Sequence, residues 1–309
     1  MRFRPRFSCS IAALFALSLT LRAAGADVQI EMKNVRLHAA DGIVLDVANL
    51  RGTMVSRTAG APPVFDDQRS FVLHLRHAEL SLDVTSLQNL LNQFVFAYDG
   101  APVKQLTVQT DHGQLALKGK LHKGIDVPFS VKASVSATAD GRMRLHTESM
   151  KAVGLPAKGL LELFGLKLED VMDVKARKGV EIQDNDIIIA AGQVLPPPEI
   201  AGRLARVTVS GNRIVQVFDD GAKPAAPLTR PSPSARNYVY FGGGDIRFGK
   251  LTMHDADLQL IDSDPKDAFD FFPARYSAQL VAGYSKNTPA KGLKTYMPDY
   301  DDLTPWKNP

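Results

Sequence analysis

No other four acids in this 309-residue sequence stand as close together as Asp262, Asp264, Asp267 and Asp270, within IDSDPKDAFDFF. Carboxylates at such spacing can ligate calcium, a hard cation satisfied by oxygen donors. The stretch lacks the glycine and closing glutamate of the twelve-residue calcium loop. It therefore reads first as a solvated turn after a strand, with Asp262, Asp264 and Asp267 as a secondary metal candidate. Histidine offers less: of the seven, only His74 and His77 form a close pair, and an odd offset along a strand sends them to opposite faces. Phe241-Gly242-Gly243-Gly244-Asp245 has the glycines of a phosphate cradle. Neither a helical pattern nor Lys-Ser or Lys-Thr follows, so a hairpin turn is expected. There is no G-x-S-x-G elbow, H-E-x-x-H pair or phosphate-binding P-loop. The one cysteine, Cys9, lies in a segment expected to be removed. No catalytic residue and no cofactor is therefore expected.

That removable segment is residues 1–26. Arg2, Arg4 and Arg6 precede an apolar stretch from Ile11 to Leu21, and Ala24-Gly25-Ala26 follows, which is the order of a secretory signal peptide. Cleavage near Ala26 and a periplasmic or secreted location are the expectation. The apolar stretch is shorter than the roughly 20 residues that span a bilayer, so no stable transmembrane anchor is expected. The segment holds four of the 37 basic residues and none of the 33 acidic ones, leaving a formally neutral mature chain. This removes the electrostatic reason to expect a nucleic-acid partner.

The elements that must position any site are mostly strands. Ile125, Val127, Phe129, Val131, Ala133 and Val135 alternate with polar residues, and Asp140-Gly141 then turns the chain into Met143 and Leu145. Residues 103–150 read as a four-stranded antiparallel meander, and 27–55 and 176–217 add hairpins. Two segments break the period. In 84–98, Val84, Leu87, Leu90, Leu91, Phe94, Val95 and Tyr98 recur at helical spacing, with Asp83 or Thr85 to cap them. Leu155–Met172 carries Leu160, Leu161, Phe164, Leu168 and Val171 and reads as a short or broken helix. Residues 219–237, rich in Pro, Ala and Ser, read as a linker or long surface loop. In 238–309, strand-like runs at 238–241, 246–248, 251–261 and 276–284 form an aromatic segment that can complete the main sheet. Those aromatics read as core or edge cover before they read as a ligand platform.

The run VKQLTVQTDHGQLALKGKL, then IDVPFSVKASVSATADGRMRLHTESMKAVGLPAKGLLELFGL, then the hairpins to Val217, resembles an exported bacterial family related to the mycobacterial lipomannan-elongation factor. That family is similar in turn to the tubular lipid-binding superfamily. The resemblance covers roughly residues 70–218 and implies an α+β, mostly β domain over 27–218. In it a highly curved antiparallel sheet wraps one long amphipathic helix, with a second short helix. It implies non-covalent binding or transfer of a lipid or lipid-linked glycan in envelope maintenance. Periodicity selects Leu87, Leu90, Leu91, Phe94, Val127, Phe129, Val131, Leu160, Leu161 and Phe164 as the hydrophobic lining. The alternative expectation is an envelope scaffold that binds a protein partner through its C-terminal region.

Overall fold

The computed structural model describes residues 27–101, 103–123, 125–152, 155–156, 179–183, 186–223 and 226–303. Strands dominate and helices are few. The first three strands, β1 (Val28–Ala40), β2 (Ile43–Ser56) and β3 (Phe71–Asp83), are antiparallel neighbours. Ile43, Leu45 and Val47 on β2 and Phe71, Leu73 and Leu75 on β3 are buried, as one packed face requires. Register shifts between Val47 and Asn49 and between Arg51 and Gly52 return Leu50, Ala78 and Leu80 to that face. The second shift also leaves His74 and His77 both exposed, where unbroken alternation would part them.

A helix α1 (Val84–Leu90) follows directly, the Asp83 carboxylate accepting from Ser86 N at 2.7 Å. The helix expected to reach Tyr98 is shorter than that. Its α turns give way to a π turn over Leu91–Val95, closed by Phe96 N donating to Leu91 O at 2.8 Å. Beyond it the chain must turn at Asp99-Gly100, with Gly100 at φ 78, and Pro102 cannot continue a helix.

The second sheet follows: β4 (Val103–Asp111), β5 (Gln114–Lys123), β6 (Ile125–Ala137) and β7 (Met143–Ala152) are consecutive antiparallel neighbours. β8 (Leu155–Pro156) pairs with β7, so the segment expected to open a second helix opens as a strand instead. The remainder of that helix, with Leu160, Leu161 and Phe164, lies outside the described residues, as does the expected signal segment 1–26. β9 (Val180–Gln183) and β10 (Asp186–Ile189) complete the sheet in the order β4-β5-β6-β7-β10-β9.

After a short helix α2 (Ala191–Val194), β11 (Glu199–Ala201), β12 (Leu204–Ser210) and β13 (Arg213–Asp219) return the chain to the first sheet. The C-terminal strands are β14 (Tyr238–Gly242), β15 (Asp245–Phe248), β16 (Leu251–His254), β17 (Asp257–Asp262) and β18 (Phe269–Phe271). They are followed by α3 (Tyr276–Ala282), β19 (Tyr284–Asn287) and β20 (Leu293–Met297). The first sheet runs β12-β13-β3-β2-β1-β14-β17-β20-β19. The strand-like run at 276–284 is therefore helical through Ala282, because Pro273 opens a helical turn and Gly283 ends it. Strand β1 is long enough to take two partners on one edge, β14 at residues 29–33 and β18 at 35–37. The change falls at Asn34, whose φ of 49 is one that asparagine tolerates better than most residues. Among the described residues no helix is long and apolar enough to cross a membrane.

One buried cluster joins both sheets, with Val108 and Leu115 from the second and Val28, Ile30, Ile214, Phe241 and Phe271 from the first. Phe65 packs edge-on against Phe241 at 5.5 Å and Tyr276 at 5.2 Å, and the Tyr276 hydroxyl donates to Asp66 Oδ1 at 2.8 Å. Burial, then the Asp66 carboxylate, pushes the Tyr276 phenol up to about 12. Burial likewise raises Tyr238 and Tyr240, aided by Glu31 and Asp257 respectively. Raised phenols favour folding below the unfolded value of about 10 and lose that contribution as pH climbs toward the folded value. Stability measured by urea unfolding is expected to fall above pH 10, and less steeply in Tyr276→Phe. Equal slopes would contradict this.

Candidate functional site

A cavity of about 180 Å³ lies between the helix and the second sheet. On one side stand Leu87, Leu90, Leu91, Val95 and Phe96. Opposite them, side chains two apart on each strand face inward: Leu115 and Leu117 on β5, Phe129, Val131 and Ala133 on β6, Met143, Leu145 and Thr147 on β7, and Ile187 and Ile189 on β10. Leu82, Ile214 and Gln216 close it from the first sheet. Among the described residues, Thr147 and Gln216 are the only polar ones in the lining, and none is charged. Such a surface excludes water and suits something apolar.

The helix's polar residues hold it in place. Asn92 accepts from Leu106 N at 3.1 Å and donates to Leu106 O at 2.8 Å, substituting for ladder partners at the irregular stretch of β4 between Lys104 and Thr107. Gln88 accepts from Val108 N at 3.3 Å, and Asn89 donates to Gly42 O at 2.8 Å in the β1–β2 turn. The amides on one side of the helix thus bind it to both sheets while its leucines face the cavity.

Of the expected lining, Leu87, Leu90, Leu91, Phe129 and Val131 surround this cavity. Phe94 does not: it packs against the cluster of Ile43, Leu45, Leu82 and Leu90. The π turn inserts one extra residue, which rotates Phe94 off the stripe, while Val95 lines the cavity. Val127 is not in the lining and packs instead with Val103, Leu106 and Leu121. Most of the described lining was missed, above all Met143, Leu145, Ile187 and Ile189. Their alternation is plain in the sequence; that they share one cavity with the helix depends on strand order.

The acidic stretch is gathered differently from its sequence spacing. Carboxylate oxygens of Asp262, Asp267 and Asp299 lie within 4.8 Å of one another, while Asp264 pairs with Lys266 at 3.0 Å. Asp262 is buried, and its Oδ2 accepts from Asn237 at 2.8 Å. Burial, then the charges of Asp262, Asp267 and Asp270, pushes Asp299 up to about 7.

No protein-family model and no curated protein matches the sequence, and no solved structure matches the fold.

Proposed function

We propose that this chain is an exported, non-catalytic carrier that binds a lipid or lipid-linked glycan, with the acyl part in the cavity between α1 and the second sheet. The uncharged, almost wholly apolar lining carries the reading. Each methylene moved from water into it contributes about 0.8 kcal/mol before the cost of immobilising the ligand. The resemblance to the tubular lipid-binding superfamily fits this reading, and takes the second sheet to curve about the helix. A signal segment at 1–26 would deliver the chain to the envelope, where such cargo is made and moved.

The test is native mass spectrometry of the chain exported by its own cells and purified without detergent, followed by extraction of bound lipid. A stoichiometric lipid adduct is expected. Leu90→Trp and Phe129→Trp, which fill the cavity from opposite walls, are expected to abolish it while leaving the circular dichroism spectrum unchanged. Folded variants that keep their lipid would remove the cavity from the mechanism. A clean apo mass that takes up no added phospholipid would favour a protein-binding scaffold, for which exposed Val281 and Tyr284 beside edge strand β19 are the first surface to examine.

A further inference from the structure

Away from the cavity, and sharing no residue with it, three potential metal ligands converge from three distant parts of the chain. Strand β18 runs parallel to β1 with Asp270 opposite Arg36, and His38, two residues along β1, points to the same face as Arg36. The third group, Asp301, is brought in by the tail after β20. Tyr300 N donates to Asp270 O at 2.9 Å, and Asp270 N donates to Asp299 Oδ1 at 2.7 Å. Ligand atoms of His38, Asp270 and Asp301 all lie within 4.8 Å of one another.

The surroundings are built to hold these groups. The His38 ring stacks on Phe272 at 5.1 Å and meets Tyr300 edge-on at 5.5 Å. Gln279, fully buried, donates to Asp270 O at 2.8 Å and to Pro298 O at 2.9 Å, fastening β18 to the tail. Asp270 itself is 4% exposed, yet neither of its carboxylate oxygens has a hydrogen-bond partner among the described residues, and neither has His38 Nε2. His38 Nε2 and Asp270 Oδ1 touch, and Arg36 Nη1 stands 3.7 Å from Asp270 Oδ2 and 4.0 Å from Asp301 Oδ2. A buried carboxylate is costly without hydrogen bonds or a cation. Here a second carboxylate, that of Asp301, crowds it. The exposed side of Asp301, at 62% side-chain exposure, leaves an entry path from solvent.

We propose that His38 Nε2 and the carboxylates of Asp270 and Asp301 form a binding site for one divalent first-row metal ion. One imidazole and two carboxylates suit Zn²⁺ or Mn²⁺ better than Ca²⁺, which takes oxygen ligands only. Three protein ligands leave coordination positions for water or a ligand oxygen. Phe272 and Tyr300 fix the imidazole plane, and Arg36 partly balances the carboxylates from the solvent side.

The test strips the full chain with EDTA and measures uptake of Zn²⁺, Mn²⁺ and Ca²⁺, each alone, by equilibrium dialysis with elemental analysis. One equivalent of Zn²⁺ or Mn²⁺ per chain is expected, with a rise in Tm. His38→Gln and Asp270→Asn should lose it, and Asp301→Asn should weaken it by at least about tenfold, the loss that even outer-shell partners cause. Asp262→Asn should bind as the wild type does. Co²⁺ should give visible ligand-field bands that change in His38→Gln. If His38→Gln or Asp270→Asn fails to fold, Asp301→Asn decides, because its side chain is largely exposed. No uptake by the stripped wild type would leave only a histidine–carboxylate contact and overturn the proposal. So would uptake of Ca²⁺ alone, or uptake that survives in folded His38→Gln, since either places the ion elsewhere.

Discussion

A chain ending at Asn237 is expected not to fold, and to be recovered as aggregate. The C-terminal strands make up one whole side of the first sheet, from β1 out to its edge. β14 lies against β1, followed outward by β17, β20 and β19. Phe241, Phe269, Phe271 and Met297 are fully buried in the cluster that also holds Val28 and Ile30. Each buried side chain of this size contributes about 1.5–3 kcal/mol, and whole domains are stable by only about 5–15 kcal/mol. Removing them takes away as much as the remaining domain can have to spare. It also strips β1 of its partners at 29–33 and 35–37, leaving an open apolar edge that can pair with another chain. The measurement is the soluble fraction and thermal unfolding of the truncated chain beside the full one. A soluble product that unfolds cooperatively at the same Tm would show that the second part is an independent unit.

Local signals made the second sheet legible and left the first one half-hidden. The alternation through Phe129, Val131 and Ala133 and the turn at Asp140-Gly141 identify β6 and β7 because side-chain period and turn chemistry are properties of neighbours in sequence. The pairing of Ile30 with Phe241 joins residues more than two hundred positions apart, and no local pattern announces it. The apolar stripe of α1 was readable and its end was not, since the π turn depends on how the chain must leave toward β4. The site around His38 was silent for the same reason. An isolated histidine on a strand carries no signal, and its neighbours Asp270 and Asp301 are set by a parallel pairing and a tail. Buried amides were equally invisible: Gln259 and Gln279 carry no local signal, yet both are fully buried and bond to backbone.

Glu31→Met is expected to cost about 3 kcal/mol, and the reason lies in the segment that composition marks as a linker. Part of this segment packs on the outer face of the first sheet, where Gln259 binds Ser232 through both N–H and C=O, at 2.7 and 3.1 Å. Arg230 from this segment donates to Glu31 Oε1 at 2.6 Å and lies over the Tyr238 ring at 4.7 Å. The Tyr238 hydroxyl also donates to Glu31, and Arg51 Nε stands 3.1 Å from its other oxygen. Glu31 is 4% exposed, so its charge is sustained only by these partners. Deleting one member of a buried pair typically costs about 3–5 kcal/mol, because the other is left charged and dry. The lower end applies here, since Arg230 and Arg51 keep some contact with water. Arg230→Met should cost less, because Glu31 retains Arg51 and Tyr238. The double variant Glu31→Met/Arg230→Met should be more stable than the sum of the single losses predicts, by about 1 kcal/mol or more. Urea unfolding of the four proteins at pH 7 closes the cycle. Additive losses would mean that Arg230 holds the segment through its stacking on Tyr238 and not through the carboxylate. Single losses below about 0.5 kcal/mol, the range of ordinary surface changes, would mean that the segment is not fastened by this cluster at all.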